Sequence, residues 1–418
     1  LFVGKDKVKE ISILLGAGFS KSLADLPLVS GLLSLSSYVL KAFNNDSRLK
    51  ERFKNTKENF NYEKFAQYLE NIRDQSSFAT ELGLDSLNLD DGEIEKLNLC
   101  EEILYKILLD KLLSVDYAEK FKKMQKSFVD LVKALLADGY KLHFFDLNHD
   151  LLLDKIFSDE EGLLVENFFK VYEEFMPTRG YFPLEKIVPK NTLETKFRRS
   201  KSDIARDGLS FFVHRDFTSE AETNLFHYKP HGALNFIYLL GLPVKISSKS
   251  SHDMAGLHLL YGFKSDGKPD YGKTFRDNLK KVFNNRISQI ENIRCQPAIL
   301  NQGNNKASIL TRDFLYYFPE VYSRFISLGE KGVPLLTIGY GFQDSHFNTA
   351  IRYHYKTSLY SAYQDNKAKI LFSGYEEIPL ITDKLKTISL DDSSGLTRNE
   401  FGRKVFCSDR NFEEFLAV

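Results

Sequence analysis

The sequence predicts an α/β fold: a Rossmann-like parallel sheet flanked by helices, with a large helical insertion. Three observations lead there. The apolar run Ile11-Ser12-Ile13-Leu14-Leu15 passes directly into Gly16-Ala17-Gly18. A second run, Leu142-His143-Phe144-Phe145, is followed by Asn148 and Asp150, and a third, 334–338, ends in Gly339-Tyr340-Gly341. Strand, glycine or Asx turn, then helix is the rhythm of a parallel sheet whose faces are covered by helices.

Each element follows in order. After the first turn, Leu32, Leu33, Tyr38, Val39 and Phe43 suggest a helix within a serine-rich stretch. The pattern stays helical to Gly139: Phe65, Tyr68, Leu69 and Ile72 fall at i, i+3, i+4 and i+7. Phe121, Met124, Phe128, Leu131, Val132 and Leu135 continue it, and Gly139 suits a C-cap. Residues 36–137 therefore read as the helical insertion. Polar, weakly periodic sequence from 158 to 224 reads as an irregular small-domain region. A turn at Lys229-Pro230-His231-Gly232-Ala233-Leu234-Asn235 follows, then an irregular Ser-, Lys- and Gly-rich stretch, 245–273. Pro297-Ala298-Ile299-Leu300 reads as a strand. Residues 320–328 form a helix with Val321, Phe325 and Leu328 on one side and Gly329 closing it. Asp344 can cap the next helix, and 369–372 is a last strand running into Ser373-Gly374. No internal repeat or long low-complexity tract interrupts the chain, and the expected organisation is one domain over 1–418, the assignment that the resemblance given below implies. Its core segments are 8–35, 138–157, 225–236 and 295–380.

At 418 residues, 43% apolar and 13% aromatic, the chain is globular rather than disordered, and length alone permits two or three domains. A formal net charge of +0 gives no global field toward nucleic acid or an anionic membrane. Lys196, Arg198, Arg199 and Lys201 can meet phosphates, but so short a run reads first as a solvated loop. The three cysteines, Cys100, Cys295 and Cys407, include no CxxC pair, which argues against a zinc ribbon and a disulfide framework. With no signal-peptide pattern and no apolar run long enough to span a bilayer, the expectation is a reducing cytoplasm and no membrane.

Four stretches carry chemistry. The Gly16-Ala17-Gly18-Phe19-Ser20 turn sits where a helix N-terminus and bare backbone can receive a pyrophosphate. Lys21 occupies the sixth position, where a dehydrogenase fingerprint has glycine, so the turn is no hydride-transfer signature; a structural strand–helix turn uses the same residues. Asn148 offers both an amide donor and a carbonyl acceptor at a strand end, where a purely local Asx turn is the competing use. His231, followed by Gly232, has a side chain suited to proton transfer near neutrality, or it is a buried hydrogen-bonded histidine. The stretch 338–348, with Gly339, Tyr340, Gly341, Asp344 and Asn348, makes a second strand-end edge fit for a nucleotide.

Together the four stretches resemble the SIR2-like (sirtuin-related) NADase family of bacterial anti-phage defence systems. Its members carry Gly-Ala-Gly-x-Ser after the first strand, then Asn-x-Asp, a His-Gly turn and a late glycine-containing strand end. Here these are Gly16-Ala17-Gly18-Phe19-Ser20, Asn148-His149-Asp150, His231-Gly232 and Gly339-Tyr340-Gly341. The defence branch is closest in style. Asn148-His149-Asp150-Leu151-Leu152-Leu153 looks like its Asn-x-Asp-x-Leu-Leu, and Lys229-Pro230-His231-Gly232-Ala233-Leu234-Asn235 its Lys-x-His-Gly-x-Leu-Asn. The matches cover about a tenth of the chain but span most of it.

The resemblance implies hydrolysis of NAD+ to nicotinamide and ADP-ribose. Asn148, His231 and Asp150 would be catalytic. Gly16, Ala17, Gly18, Phe19, Ser20, Gly232, Gly339, Tyr340, Gly341 and Asn348 would bind NAD+, with no metal. It also implies an NAD-depleting role in abortive infection. Control would come from a homo-oligomer, with the segment 49–136 offering subunit contacts, or from a partner defence protein such as an ATPase or a phage-sensing subunit. The chain departs from sirtuin deacylases in two ways: Asp146-Leu147 replaces Thr-Gln before the Asn, and the four zinc cysteines are missing. Peptide deacylation is therefore not expected.

Two other classes stay open. A non-catalytic NAD or ADP-ribose sensor needs only the glycine turns, and a shared location for Asn148 and His231 separates it from the hydrolase. A metal-dependent phosphoesterase or nuclease would use His149, Asp150, Asp344 and His346, a short ligand set for a two-metal site.

Overall fold

The computed structural model describes residues 9–26, 119–171, 182–183, 208–214, 223–239, 242–248, 297–299, 317–333, 335–340, 344–355, 359–363 and 367–370, with single helical positions between 69 and 112 and at 278. The elements run β1 (Glu10–Leu15), α1 (Ala17–Ala24), α2 (Glu119–Ala137), β2 (Lys141–Asp146), α3 (Leu152–Ser158), β3 (Val165–Glu166), β4 (Phe169–Val171), β5 (Phe182–Pro183) and β6 (Gly208–His214). They continue β7 (Leu225–Tyr228), β8 (Gly232–Leu239), β9 (Leu242–Ser248), β10 (Pro297–Ile299), α4 (Tyr317–Glu330), β11 (Leu335–Ile338), α5 (Ser345–His354), β12 (Leu359–Tyr363) and β13 (Lys367–Ile370).

Seven strands pair in the order β13-β12-β11-β1-β2-β7-β3. Every pairing is parallel except that of the edge strand β13 with β12. A parallel strand covered on both faces reads as a continuous apolar run, which is why β1 and β2 show no clean alternation. On one face Ile11, Ile13 and Leu15 pack with Phe19 and Leu23 of α1 and with Phe128, Val132 and Leu135 of α2. Phe128 centres this layer, its ring 5.0 Å from Phe19, 5.9 Å from Phe144 and 6.3 Å from Phe157. On the other face Phe145 meets Phe325 of α4 at 4.9 Å, and Phe325 meets Phe347 of α5 at 4.9 Å. The Tyr355 hydroxyl donates to the Phe325 carbonyl at 2.7 Å, closing that layer. Each large side chain so buried contributes about 1.5–3 kcal/mol, which makes these two layers the main support of the sheet.

Register places the functional edge. Leu15 lies opposite both Asp146 and Ile338, and Phe145 opposite Tyr228. The chain therefore leaves β1, β2, β7 and β11 at nearly one level. Because β1 is followed toward β2 on one side and joined by the late strand β11 on the other, the order reverses at β1. Ligands of open α/β sheets bind outside the strand ends at such a point.

A second sheet, order β10-β8-β9-β6-β4 with β5 on β6, is antiparallel. This corrects the sequence expectation in three places. The sequence places 225–236 and 295–380 in the parallel core, but β8, which begins in the first, and β10, which lies in the second, belong to the second sheet. The region 158–224, expected to be irregular, contains β3, β4, β5 and β6, and β9 lies where an irregular stretch was expected to begin. Short apolar runs look alike in either kind of sheet, and partners distant in sequence decide between them. Of the predicted insertion, α2 and the single helical positions are described; the rest of 36–137 lies outside the described residues. Among the described residues no helix is long and apolar enough to cross a membrane.

Candidate active site at the strand ends

The end of β1 is locked to the end of β11 by backbone alone. Gly16 N–H donates to the Ile338 carbonyl at 3.0 Å, and Gly18 N–H to the Gly339 carbonyl at 2.9 Å. A Cβ on Gly16 would sit 2.6 Å from the Gly339 carbonyl oxygen and 2.6 Å from Tyr340 Cα. One on Gly339, which has φ +60, would sit 2.1 Å from Phe19 N. Of the two uses the sequence leaves open for the Gly16 turn, a phosphate cradle and a structural strand–helix turn, the structure displays the second: the direction a Cβ would take is filled by the facing strand end. Close approach of two backbones is what requires them. Ala17 and Gly18 are half-buried in the first turn of α1, Phe19 belongs to the core, and Ser20 is buried beside it.

The loop after β2 is tied down from both sides. Asn148 N–H donates to Asp146 Oδ1 at 3.0 Å, and its side-chain Nδ2 donates to the Gly16 carbonyl at 3.0 Å. Asp150 Oδ1 accepts from Leu152 N–H at 3.0 Å, opening α3, while the His149 carbonyl accepts from Leu234 N–H of β8 at 3.0 Å. Lys229, buried just past β7, donates from Nζ to Asp146, to the Asn148 carbonyl at 3.0 Å and to the Asp150 carbonyl at 2.7 Å.

Charge accumulates behind this loop. His227 lies 3.6 Å from Asp146 and 3.9 Å from Asp154, and Lys245 of β9 pairs with Asp154 at 2.8 Å. Burial alone would push the Asp146 carboxyl up, but Lys229 and His227 outweigh it and hold it below the usual carboxylate range. Asp154 is likewise held down against its burial, by Lys245, His227 and Lys229. Burial would lower Lys229, yet Asp146, Asp154 and Asp150 raise it. Asp150 goes the other way: burial pushes it up, and Lys229 offsets only part of that.

His231 is 6% exposed and Asn148 7%, so each presents little more than an edge to solvent. Gly232, at φ +73, donates to the Lys229 carbonyl at 2.9 Å and makes the tight turn that fixes the histidine. His231 Nε2 is 3.0 Å from Asp344 Oδ2, its ring is 6.3 Å from that of His149, and Phe347 meets it edge-on at 5.7 Å. Tyr340 hydroxyl donates to Asn348 Oδ1 at 2.8 Å, tying the end of β11 to α5.

The structure thus joins Asn148 to Gly16, Gly18 to Gly339, Asn148 to Asp150 through Lys229, the His231 turn to the Asn148 loop through Lys229 and Leu234, and Tyr340 to Asn348. Gly341 lies outside the described residues. Among the described residues no group of three or more His, Cys, Asp or Glu is placed to hold a metal ion. Sequence reasoning missed the buried Asp146–Lys229 pair. Its signal was an acid at a strand end together with a lysine two residues before the His-Gly turn. It read Asp344 as a helix cap and missed its second oxygen. No family model matches the chain, and no curated protein matches its sequence.

Proposed function

We propose that this protein is an NAD+ hydrolase with a Rossmann-like, SIR2-like core, cleaving NAD+ to nicotinamide and ADP-ribose. The observation that carries the reading is the anchoring of Asn148 on the Gly16 carbonyl, in a loop that Lys229 and Leu234 fasten to the His231 turn. In this reading Asn148 holds the nicotinamide ribose and the attacking water, and His231 takes a proton from that water. The water oxygen bonds to C1′ of the ribose as the N-glycosidic bond breaks. The bonding pair passes to the pyridinium nitrogen, so nicotinamide leaves neutral and one proton is released. Fixed groups that position the sugar lower the barrier to a transition state with oxocarbenium character. Asp150, whose backbone and carboxylate are both engaged, keeps the loop in shape. The same reading makes the protein a cytoplasmic, NAD-depleting effector of anti-phage defence, controlled by self-assembly or a partner protein.

The test is NAD+ binding by calorimetry beside nicotinamide release by chromatography, alone and with the product of its neighbouring gene. Asn148→Ala should lower turnover by orders of magnitude with a modest change in affinity. His231→Ala should lower it by about 10²–10⁴-fold. Equal nicotinamide release by wild type and Asn148→Ala would place the chemistry elsewhere, and binding that never leads to cleavage would favour a sensor.

A further inference from the structure

Asp344 does two things with its two oxygens. Oδ1 accepts from the His346 and Phe347 N–H groups, each at 3.1 Å, and so caps α5. Oδ2 stands 3.0 Å from His231 Nε2. A cap alone needs one oxygen, which serine, threonine or asparagine supplies as well. A carboxylate at this position meets the positive end of the helix and two N–H donors, and it faces a histidine only 6% exposed.

We infer that Asp344 is the positioning residue for His231: it fixes the ring against Phe347 and stabilises the imidazolium formed when His231 accepts a proton. The inference rests on the hydrolase reading for its catalytic meaning, but not for the pairing itself. The titratable groups about this pair include Asp344 at the start of α5, His149 in the loop after β2, and the hydroxyls of Tyr322 and Tyr340, which interact with Asp344 and whose ionisation burial and that carboxylate both oppose. His149 would be cationic when protonated and opposes a charge on His231, so the carboxylate is what favours the imidazolium. A preorganised acid beside a histidine base acts on turnover far more than on substrate affinity.

Asp344→Asn separates the two duties, because asparagine caps as well as aspartate but carries no charge. The first measurement is the titration of the His231 imidazole by NMR on ¹⁵N-histidine protein, assigned with His231→Gln. Loss of the carboxylate should weaken the proton affinity of His231 about tenfold or more while the thermal midpoint stays near wild type. The second is nicotinamide release: kcat should fall by roughly 10–100-fold with KM nearly unchanged, and the acid limb of the rate profile should move to lower pH. Unchanged His231 titration in Asp344→Asn overturns the inference and leaves Asp344 a cap. A shifted titration in a protein that never releases nicotinamide keeps the pairing and removes the hydrolase reading instead. If Asp344→Asn does not fold, Asp344→Ser, which keeps a cap oxygen but cannot reach the ring, gives the same two readouts.

Discussion

The two sides of Gly16 are built on opposite principles. Toward β11 the strand ends touch through glycines, backbone against backbone, with no side chain between them. Toward β2 and β7 the loop is held by a buried lysine, a buried carboxylate and two carbonyls. The first side is specified by what is missing, so any added atom is an error. The second is specified by charge, so atoms can be exchanged if charge is balanced. Steric precision there does not depend on pH; electrostatic precision does.

The largest effect is expected on the charged side. Lys229→Met leaves the Asp146 carboxylate buried without its cation and should cost about 3–5 kcal/mol in urea unfolding. Adding Asp146→Asn should restore part of it, the Asn148 and Asp150 carbonyls still lacking their donor; a double variant no better than Lys229→Met would break the charge-balance account. Next comes Gly339→Ala, where φ +60 and a Cβ 2.1 Å from Phe19 N combine strain and overpacking. The expected cost is about 2–4 kcal/mol, the same at pH 5 and pH 8.

Acid should then distinguish the sides. Asp146 has a folded-state value below its ordinary 3.8, so its contribution is present above about pH 4 and is lost as pH falls through the folded value. Lys229 is raised above 10.5, so its contribution is present below that and is lost as pH rises through the folded value. Asp150, pushed up by burial, opposes folding above its unfolded value and is relieved by acid. An acid unfolding profile of Asp146→Asn/Lys229→Met should therefore be flatter below pH 4 than that of wild type. The smallest effect on stability belongs to Asn148→Ala, which loses one side-chain hydrogen bond, about 1 kcal/mol by thermal denaturation.

What the sequence revealed divides along the same line. The runs ending at Leu15, Phe145 and Ile338 were legible because apolar stretches followed by glycine or Asx residues carry their meaning locally. The last strand, expected at 369–372, is β13 at Lys367–Ile370, while β12 went unread because Leu359-Tyr360-Ser361-Ala362-Tyr363 carries only a weak apolar pattern. β9 does alternate in sequence, Leu242, Val244 and Ile246 falling at every second position, but its lysine and serines resemble a loop. Asn148 and His231 are candidates by type and strand-end position, but a local Asx turn and a buried histidine fit each as well, and only the resemblance gives them catalytic roles. The lysine that binds their loops together, and the second oxygen of Asp344, depend on which strand ends are neighbours. Sheet order settles that, and no short window of sequence contains it.

One connection has a mechanical side. Tyr228 ends a strand of the parallel sheet and Gly232 begins a strand of the antiparallel one, with only Lys229, Pro230 and His231 between them. Three residues reach roughly 10 Å at full extension, so the link is short, and a turn closed by Gly232 N–H on the Lys229 carbonyl folds it. The residue that faces Asp344 therefore lies in a short covalent path from one sheet to the other. Any change in how the sheets meet at this corner changes where that histidine stands.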